Sequence, residues 1–113
     1  MARAATTSDV FNAIAEPRRR EILALLRAGE RPVTELAREL GLPQPGASKH
    51  LRVLREVGLV RVRQAGKQRV YGLDASGLRA VHEWTGGFEQ FWQETFDRLD
   101  AYVQVLKQER TEE

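Results

Sequence analysis

Apolar residues along this chain recur first at helical spacing, then alternate with polar residues, and then return to helical spacing. The first part predicts four short helices, at about residues 9–15, 17–28, 33–40 and 44–57. Between Leu59 and Leu73 the period is two, and two alternating runs flank a glycine turn near Gly66, which predicts a β-hairpin. From Leu78 to Leu106 steps of three and four continue for about eight turns. The pattern predicts a mainly α-helical fold with one small hairpin.

Several helix ends carry sequence signals. Ser8 and Thr34 are expected N-caps, because a hydroxyl oxygen can accept a free main-chain N–H. Pro17 is expected to open the second helix, where no N–H is needed. Gly41 is expected to end the third helix, and residues 30–32 are expected to form a turn.

Three arginines, at positions 18, 19 and 20, crowd the first turn of the second helix. Positive charge at a helix N-terminus opposes the helix dipole. An anionic partner, solvation, or an ion pair with Glu16 or Glu21 would relieve it, and the sequence leaves these alternatives open.

The helix predicted over 44–57 has one apolar and one polar, basic face. The apolar face gathers Ala47, Leu51, Leu54 and Val57, with His50 and Val53 among them. The polar face offers side chains that a DNA major groove can use, since Gln can bind adenine, Arg and Lys can bind guanine or phosphate, and Ser can do either: Gln44, Ser48, Lys49, Arg52 and Arg55. An ordinary amphipathic surface helix would show the same pattern, so the neighbouring elements decide between the two interpretations.

The elements before and after this helix predict a winged helix-turn-helix. The helices at 33–40 and 44–57 are separated by a tight turn containing Gly41, which is typical of a helix-turn-helix. The hairpin that follows is basic, and wings of this kind contact phosphate or the minor groove; its candidate DNA contacts are Arg61, Arg63, Lys67, Gln68 and Arg69. The alternative is that these charges only protect edge strands from aggregation. Pro43 stands where a capping Ser or Asn would be expected, and it cannot accept an N–H bond.

The C-terminal segment carries more aromatic side chains than a small domain needs for its own core. Asp74 is expected to cap it, and Gly86-Gly87 is expected either to kink it or to divide it into two helices. Aromatic side chains are typical anchors of a subunit interface, and the expected interface residues are Phe88, Phe91, Trp92, Phe96, Leu99, Tyr102, Val103 and Leu106. The alternative is a long helix folded back onto its own domain.

Charge is distributed unevenly along the chain. Residues 1–73 hold 14 Lys and Arg against 7 Asp and Glu, whereas residues 74–113 hold 4 against 9. A basic body with an acidic C-terminal segment favours a polyanionic partner for the body. We therefore divide the chain into a flexible arm (1–8), a DNA-binding core (9–73) and a dimerisation segment (74–113).

Composition excludes several classes of function. The 113 residues include no cysteine, which excludes disulfides, cysteine-based zinc sites and thiol chemistry. No apolar run is long enough to span a membrane and no signal region is evident, so a cytoplasmic protein is expected. No catalytic motif is present. His50 is expected to be a packed core residue and His82 a surface or interface residue, so neither a metal nor a cofactor is expected.

With these elements placed, the sequence resembles the ArsR/SmtB-type winged-helix repressors. The likeness covers roughly residues 9–108 and is carried by IAEPRRREILALL at 14–26, VTELARELGLPQPGASKHLRVLREVGLVRVRQAGKQRVYGL at 33–73 and FWQETFDRLDAYV at 91–103. The resemblance implies a homodimer that dimerises through its N- and C-terminal helices, binds a palindromic operator and blocks transcription, often of its own operon.

The resemblance also bears on metal sensing. Many members of the family sense metals through a cysteine motif in the stretch that here is VTELAREL, or through a His/Asp/Glu set on the C-terminal helix, where this chain offers only His82 beside Glu83. The chain is similar to the metal-independent branch. Two alternatives stay open: a protein-interaction module on the same scaffold, and a repressor that also senses a metal or a small ligand. The sequence identifies no inducer.

Overall fold

The computed structural model describes residues 9–112 of the chain, and the side chains of 9–111. In chain order the elements are α1 (Val10–Ile14), α2 (Pro17–Leu26), β1 (Arg31–Pro32), α3 (Val33–Leu40), α4 (Gln44–Glu56), β2 (Val60–Ala65), β3 (Gln68–Leu73), a 3₁₀ turn (Ala75–Leu78), α5 (Arg79–Gly86) and α6 (Glu89–Glu112). The expected arm, residues 1–8, lies outside the described residues. Two compact units divide the chain, one ending at Val81 and the other beginning at His82.

The first unit is a helical core closed by a three-stranded antiparallel sheet of order β1-β3-β2. The hairpin β2–β3 is confirmed. The turn expected at 30–32 is wrong, because Arg31 and Pro32 form β1 and pair with Tyr71 and Val70 of β3. β1 lies at the edge of the sheet, where the missing N–H of Pro32 is tolerated. A strand of two residues leaves no pattern in the sequence that would predict it.

The core of this unit draws on every helix from α1 to α4 and on the sheet. Its five largest fully buried side chains are Ile22 of α2, Leu36 of α3, Leu51 and Leu54 of α4, and Leu59 before β2. The predicted inner face of α4 is thus confirmed at Ala47, Leu51 and Leu54, which are buried, whereas Val53 and Val57 are partly buried against the core. His50, expected to be a packed core residue, is only half-buried, because it lies at the flank of that face.

Helix ends match the sequence signals in part. Gly41 has φ 66° and ends α3 in the left-handed conformation that glycine favours. The Thr34 cap is wrong, because α3 already begins at Val33 with Pro32 in the N-cap position and no side-chain cap. Ser8 lies outside the described residues, and the carboxylate of Asp9 caps α1 by accepting the Phe11 N–H at 2.6 Å.

The arginines of α2 donate to carbonyl groups at the C-terminal ends of neighbouring helices. Arg18 Nη1 donates to the Leu40 carbonyl at the end of α3 (3.0 Å) and to Glu21 (3.1 Å). Arg19 Nε donates to the Ala13 carbonyl (2.5 Å), and Arg20 Nη1 donates to the Ile14 carbonyl (2.7 Å), both at the end of α1. Cations stabilise helix C-termini, so these side chains join α1, α2 and α3.

The second unit contains the long helix α6. The double glycine divides the C-terminal segment into two helices, since α5 ends at Gly86 and α6 begins at Glu89. All eight expected interface residues are exposed. Within residues 9–112, no helix is both long and apolar enough to cross a bilayer.

Candidate nucleic-acid interface

The polar face of α4 is positioned by its apolar face. Because Ala47, Leu51 and Leu54 are buried, the opposite side of the helix faces outward. Four of the five predicted side chains on α4 are exposed and Ser48 is half-buried. The helix starts at Gln44 with Pro43 as N-cap and no side-chain cap, as the sequence predicts.

A groove runs between the start of α4 and the tip of the hairpin. Its walls hold Gln44 and Ser48 of α4 and Lys67, Gln68 and Arg69 of the wing. The structure therefore brings half of the ten predicted DNA-contacting residues into one groove. Thr34 and the buried Tyr71 also line it.

A second groove continues along α4 toward its C-terminal half. It is lined by Ser48, Arg52 and Arg55 of α4, by Arg69 of β3, and by apolar atoms beneath them. Arg69 and Ser48 belong to both grooves, so the two form one surface, which we call the α4–wing groove. None of its described lining residues is acidic, so the charged residues of the groove are all cations and favour an anionic partner.

The remaining predicted residues lie apart from this groove. Lys49 is exposed on α4 without lining it. Arg61 and Arg63 lie on the opposite face of the hairpin from Arg69, because side chains alternate along a strand and Arg63 pairs with Val70, whereas Arg69 pairs with Gln64. The cations that the sequence predicts as wing contacts are therefore divided between two faces of the hairpin.

Arg61 and Arg63 have partners within the protein. Arg63 donates to Glu30 through both Nε (3.0 Å to Oε1) and Nη2 (2.9 Å to Oε1), and Arg61 Nη1 donates to the Leu73 carbonyl at 2.8 Å. The hydrogen bond from Arg63 lowers the pKa of the Glu30 carboxyl, and the same bond raises the pKa of Arg63. Glu30 was not among the residues that sequence reasoning selected, and no local pattern marks it.

Two polar residues of the groove were likewise missed. Thr34 was expected only as a cap, and Tyr71 only as a strand residue, yet both line the α4–wing groove. The signal that could have found Tyr71 is its spacing of two from Arg69, which puts both side chains on one face of β3.

Residues 9–111 contain no group of three or more His, Asp and Glu side chains placed to hold a metal ion. His82, expected to be a surface or interface residue, is exposed in the single chain.

Comparisons with known proteins agree with this geometry. Residues 14–63 match the helix-turn-helix domain family. The chain is 38% identical over 99 residues to the HTH-type transcriptional regulator Rv2034 of Mycobacterium tuberculosis, covering 88% of this chain and 87% of that protein. It is 30% identical over 81 residues to the transcriptional repressor SdpR of Bacillus subtilis, covering 72% of this chain and 90% of that protein.

A solved structure extends the likeness to three dimensions. It is the homodimeric winged helix-turn-helix DNA-binding domain Mb0332 of Mycobacterium bovis, described as a possible ArsR-family transcriptional regulator. Identity to it is 33%, coverage is 70% of this chain and 76% of that one, and the TM-score is 0.59. The chain belongs to the ArsR/SmtB family of winged helix-turn-helix transcriptional regulators, and it is not an enzyme.

Proposed function

We propose that the protein binds double-stranded DNA as a homodimer and represses transcription at a palindromic operator, in the cytoplasm. The observation that carries this proposal is the α4–wing groove, in which the outward side of α4 and one face of the hairpin present a lining without acids. A helix fits the width of the major groove, and a basic hairpin beside it can follow the phosphates.

The residues divide by the chemistry they offer. Gln44, Ser48, Lys49 and Arg52 of α4 are proposed to face the base edges, where Gln suits adenine and Arg suits guanine. Arg55, with Lys67, Gln68 and Arg69 of the wing, is proposed to hold the sugar-phosphate backbone. The prediction that Arg61 and Arg63 contact DNA stays a prediction, since both have internal partners in the free protein.

The homodimer is proposed to form through the eight expected interface residues between Phe88 and Leu106, which we call the aromatic stripe, together with α1. Seven of these eight residues lie on α6, within about 140° of one another around the helix at 100° per residue, and Phe88 directly precedes it. All eight are exposed; Tyr102 is 62% exposed and Phe96 is 58% exposed. Phe11 on α1 is also exposed. Burial of such side chains favours association, and Mb0332 is itself described as homodimeric.

Leu99→Asp tests the dimer, because it puts a charge in the middle of the stripe. Gln104→Asp is the matched control, since it adds the same charge on the polar side of α6. We expect sedimentation to show a monomer for Leu99→Asp and a dimer for the control and the parent protein. Equal dimerisation of all three proteins would place the interface elsewhere.

DNA binding is tested by fluorescence anisotropy with DNA from upstream of the protein's own gene and a scrambled duplex. Preference for the upstream DNA would support an autorepressor, and a promoter fusion in cells would then show the sign of regulation. Equal binding to both duplexes would place the operator elsewhere or make the binding non-specific. Binding to neither duplex would contradict the proposal and favour a protein-interaction module on the same scaffold.

A further inference from the structure

The free edge of β3 in the wing pairs with a short edge strand, β1. β1 contributes only Arg31 and Pro32 to the pairing with β3, and the proline has no N–H to donate. The base of the hairpin is held by burial of Val60 and Tyr71, whereas its outer part, 63–69, is exposed except at the half-buried Ala65. Main-chain pairing with β1 therefore contributes little to holding the outer half of the hairpin in place.

The Glu30–Arg63 pair lies where that support ends. Its two residues are 33 positions apart in sequence, and Nε and Nη2 of Arg63 both donate to Glu30. A planar guanidinium that engages a carboxylate through two donors fixes direction as well as distance. The pair ties β2 to the segment before β1 on the face of the hairpin that lies away from the α4–wing groove.

Gly72 leaves room for this arrangement. A Cβ at that position would lie 3.2 Å from Cγ and 3.3 Å from Oε2 of Glu30, and 3.4 Å from Nε of Arg61. The Glu30 side chain thus lies over a bare stretch of β3, close to both arginines of β2.

The next residue makes a second attachment in the other direction. Arg31 Nη1 donates to Glu39 at 2.5 Å and to Glu35 at 3.3 Å, both on α3. Two consecutive residues therefore contact two different elements. Glu30 binds Arg63 of the wing, and Arg31 binds α3, the first helix of the helix-turn-helix.

We propose that Glu30 and Arg31 form a clamp that fixes the wing relative to the helix-turn-helix, and that Arg63 is a positioning residue for DNA binding and not a phosphate contact. The proposal rests on the proposed DNA-binding function and names which wing cations act directly. Lys67 and Arg69 meet DNA, whereas Arg63 holds the hairpin at the angle that lets them do so.

Glu30→Asp distinguishes the two possible roles of Arg63, because positioning and phosphate contact predict changes of opposite sign in operator affinity. The substitution keeps the charge and shortens the side chain by one methylene, so the long-range electrostatics stay the same while the double hydrogen bond to Arg63 is lost. If Arg63 positions the wing, operator binding weakens, by up to about fivefold per wing and about 25-fold for a dimer. If Arg63 contacts phosphate, its release from Glu30 tightens binding. Glu21→Asp, which shortens the exposed partner of Arg18, is the matched control.

Arg63→Gln supplies the second arm. In the complex of the variant, Lys67 and Arg69 still reach the phosphates, but the wing must first be ordered, so loss of a positioning residue lowers affinity without changing the slope of log K against log[salt]. Loss of a phosphate contact in each protomer instead makes the slope less negative by about 1.8. We expect an unchanged slope, and we expect the double variant Glu30→Asp/Arg63→Gln to bind no more weakly than Arg63→Gln alone, because both substitutions break the same contact.

Amide hydrogen exchange of residues 61–69, measured without DNA, completes the test. We expect faster exchange in Glu30→Asp than in the parent protein or in Glu21→Asp. Tighter DNA binding by Glu30→Asp, a reduced salt slope for Arg63→Gln, or unchanged exchange would each overturn the clamp. Failure of the parent protein to bind any duplex would instead contradict the proposed function, and the exchange measurement would still decide whether the clamp exists.

Discussion

Arg69→Gln tests whether the α4–wing groove is the surface that meets DNA. Arg69 is the informative position because it lines both parts of that groove. Five cations of each protomer are proposed to meet DNA, namely Lys49, Arg52, Arg55, Lys67 and Arg69. A homodimer would bring ten, and if all ten met phosphate the slope of log K against log[salt] would be about −9. Contacts made to bases would reduce that magnitude.

The substitution removes one cation from each protomer. The slope should therefore become less negative by about 1.8, to about −7 from that limit. The ratio of parent to variant affinity should then shrink by about 3.5-fold for each doubling of salt concentration. At low salt the variant is the weaker binder, and the two proteins converge as salt rises.

The assay is fluorescence anisotropy at four or more salt concentrations, with the same operator duplex for every protein. Arg27→Gln is the control, because it removes the same charge from an exposed residue of the same unit that does not line the α4–wing groove. We expect the Arg27→Gln slope to equal that of the parent protein. An unchanged slope for Arg69→Gln, or equal changes for both variants, would refute the reasoning.

Three further predictions concern stability. Leu51→Ala, at a fully buried position of α4, should destabilise the fold by about 2–5 kcal/mol, measured by chemical denaturation; a loss below about 1 kcal/mol would mean that the site collapses around the cavity. Gly77→Ala should destabilise the fold, because its Cβ would lie 2.6 Å from a main-chain carbonyl oxygen. Gly46→Ala inside α4 meets nothing within 4 Å and should stabilise the fold by about 0.5–1 kcal/mol. Changes of the same sign in the free energy of unfolding of both variants would contradict this. Because Arg63 lowers the pKa of Glu30, the pair stabilises the fold above the ordinary carboxyl pKa of 4.5 and loses that effect as pH falls through the lowered value. Glu30→Gln should therefore make the free energy of unfolding depend less on pH in that range. A pH profile identical to that of the parent protein would exclude the linkage.

The parts of this fold that the sequence predicts are those with a local cause. The faces of α4 follow from a 3.6-residue period, and burial of Leu51 and Leu54 on one side confirms it. The hairpin follows from a period of two on either side of a glycine turn at Gly66, and the end of α3 follows from a glycine that can adopt φ 66°. Each of these depends on residues within about a dozen positions of one another.

The features that the sequence does not predict depend on contacts between distant residues. β1 exists only because Arg31 and Pro32 lie beside β3, and a two-residue stretch that ends in proline carries no strand pattern of its own. The face of the hairpin on which each wing cation lies can be predicted in part from the sequence. The two-residue turn that places Gln64 opposite Arg69 also places Arg63 opposite Val70, so parity alone separates Arg63 from Arg69. What parity cannot supply is the partner on the far face. Glu30 reaches Arg63 because β1 brings the preceding segment beside the sheet, so the missed strand accounts for the missed acceptor.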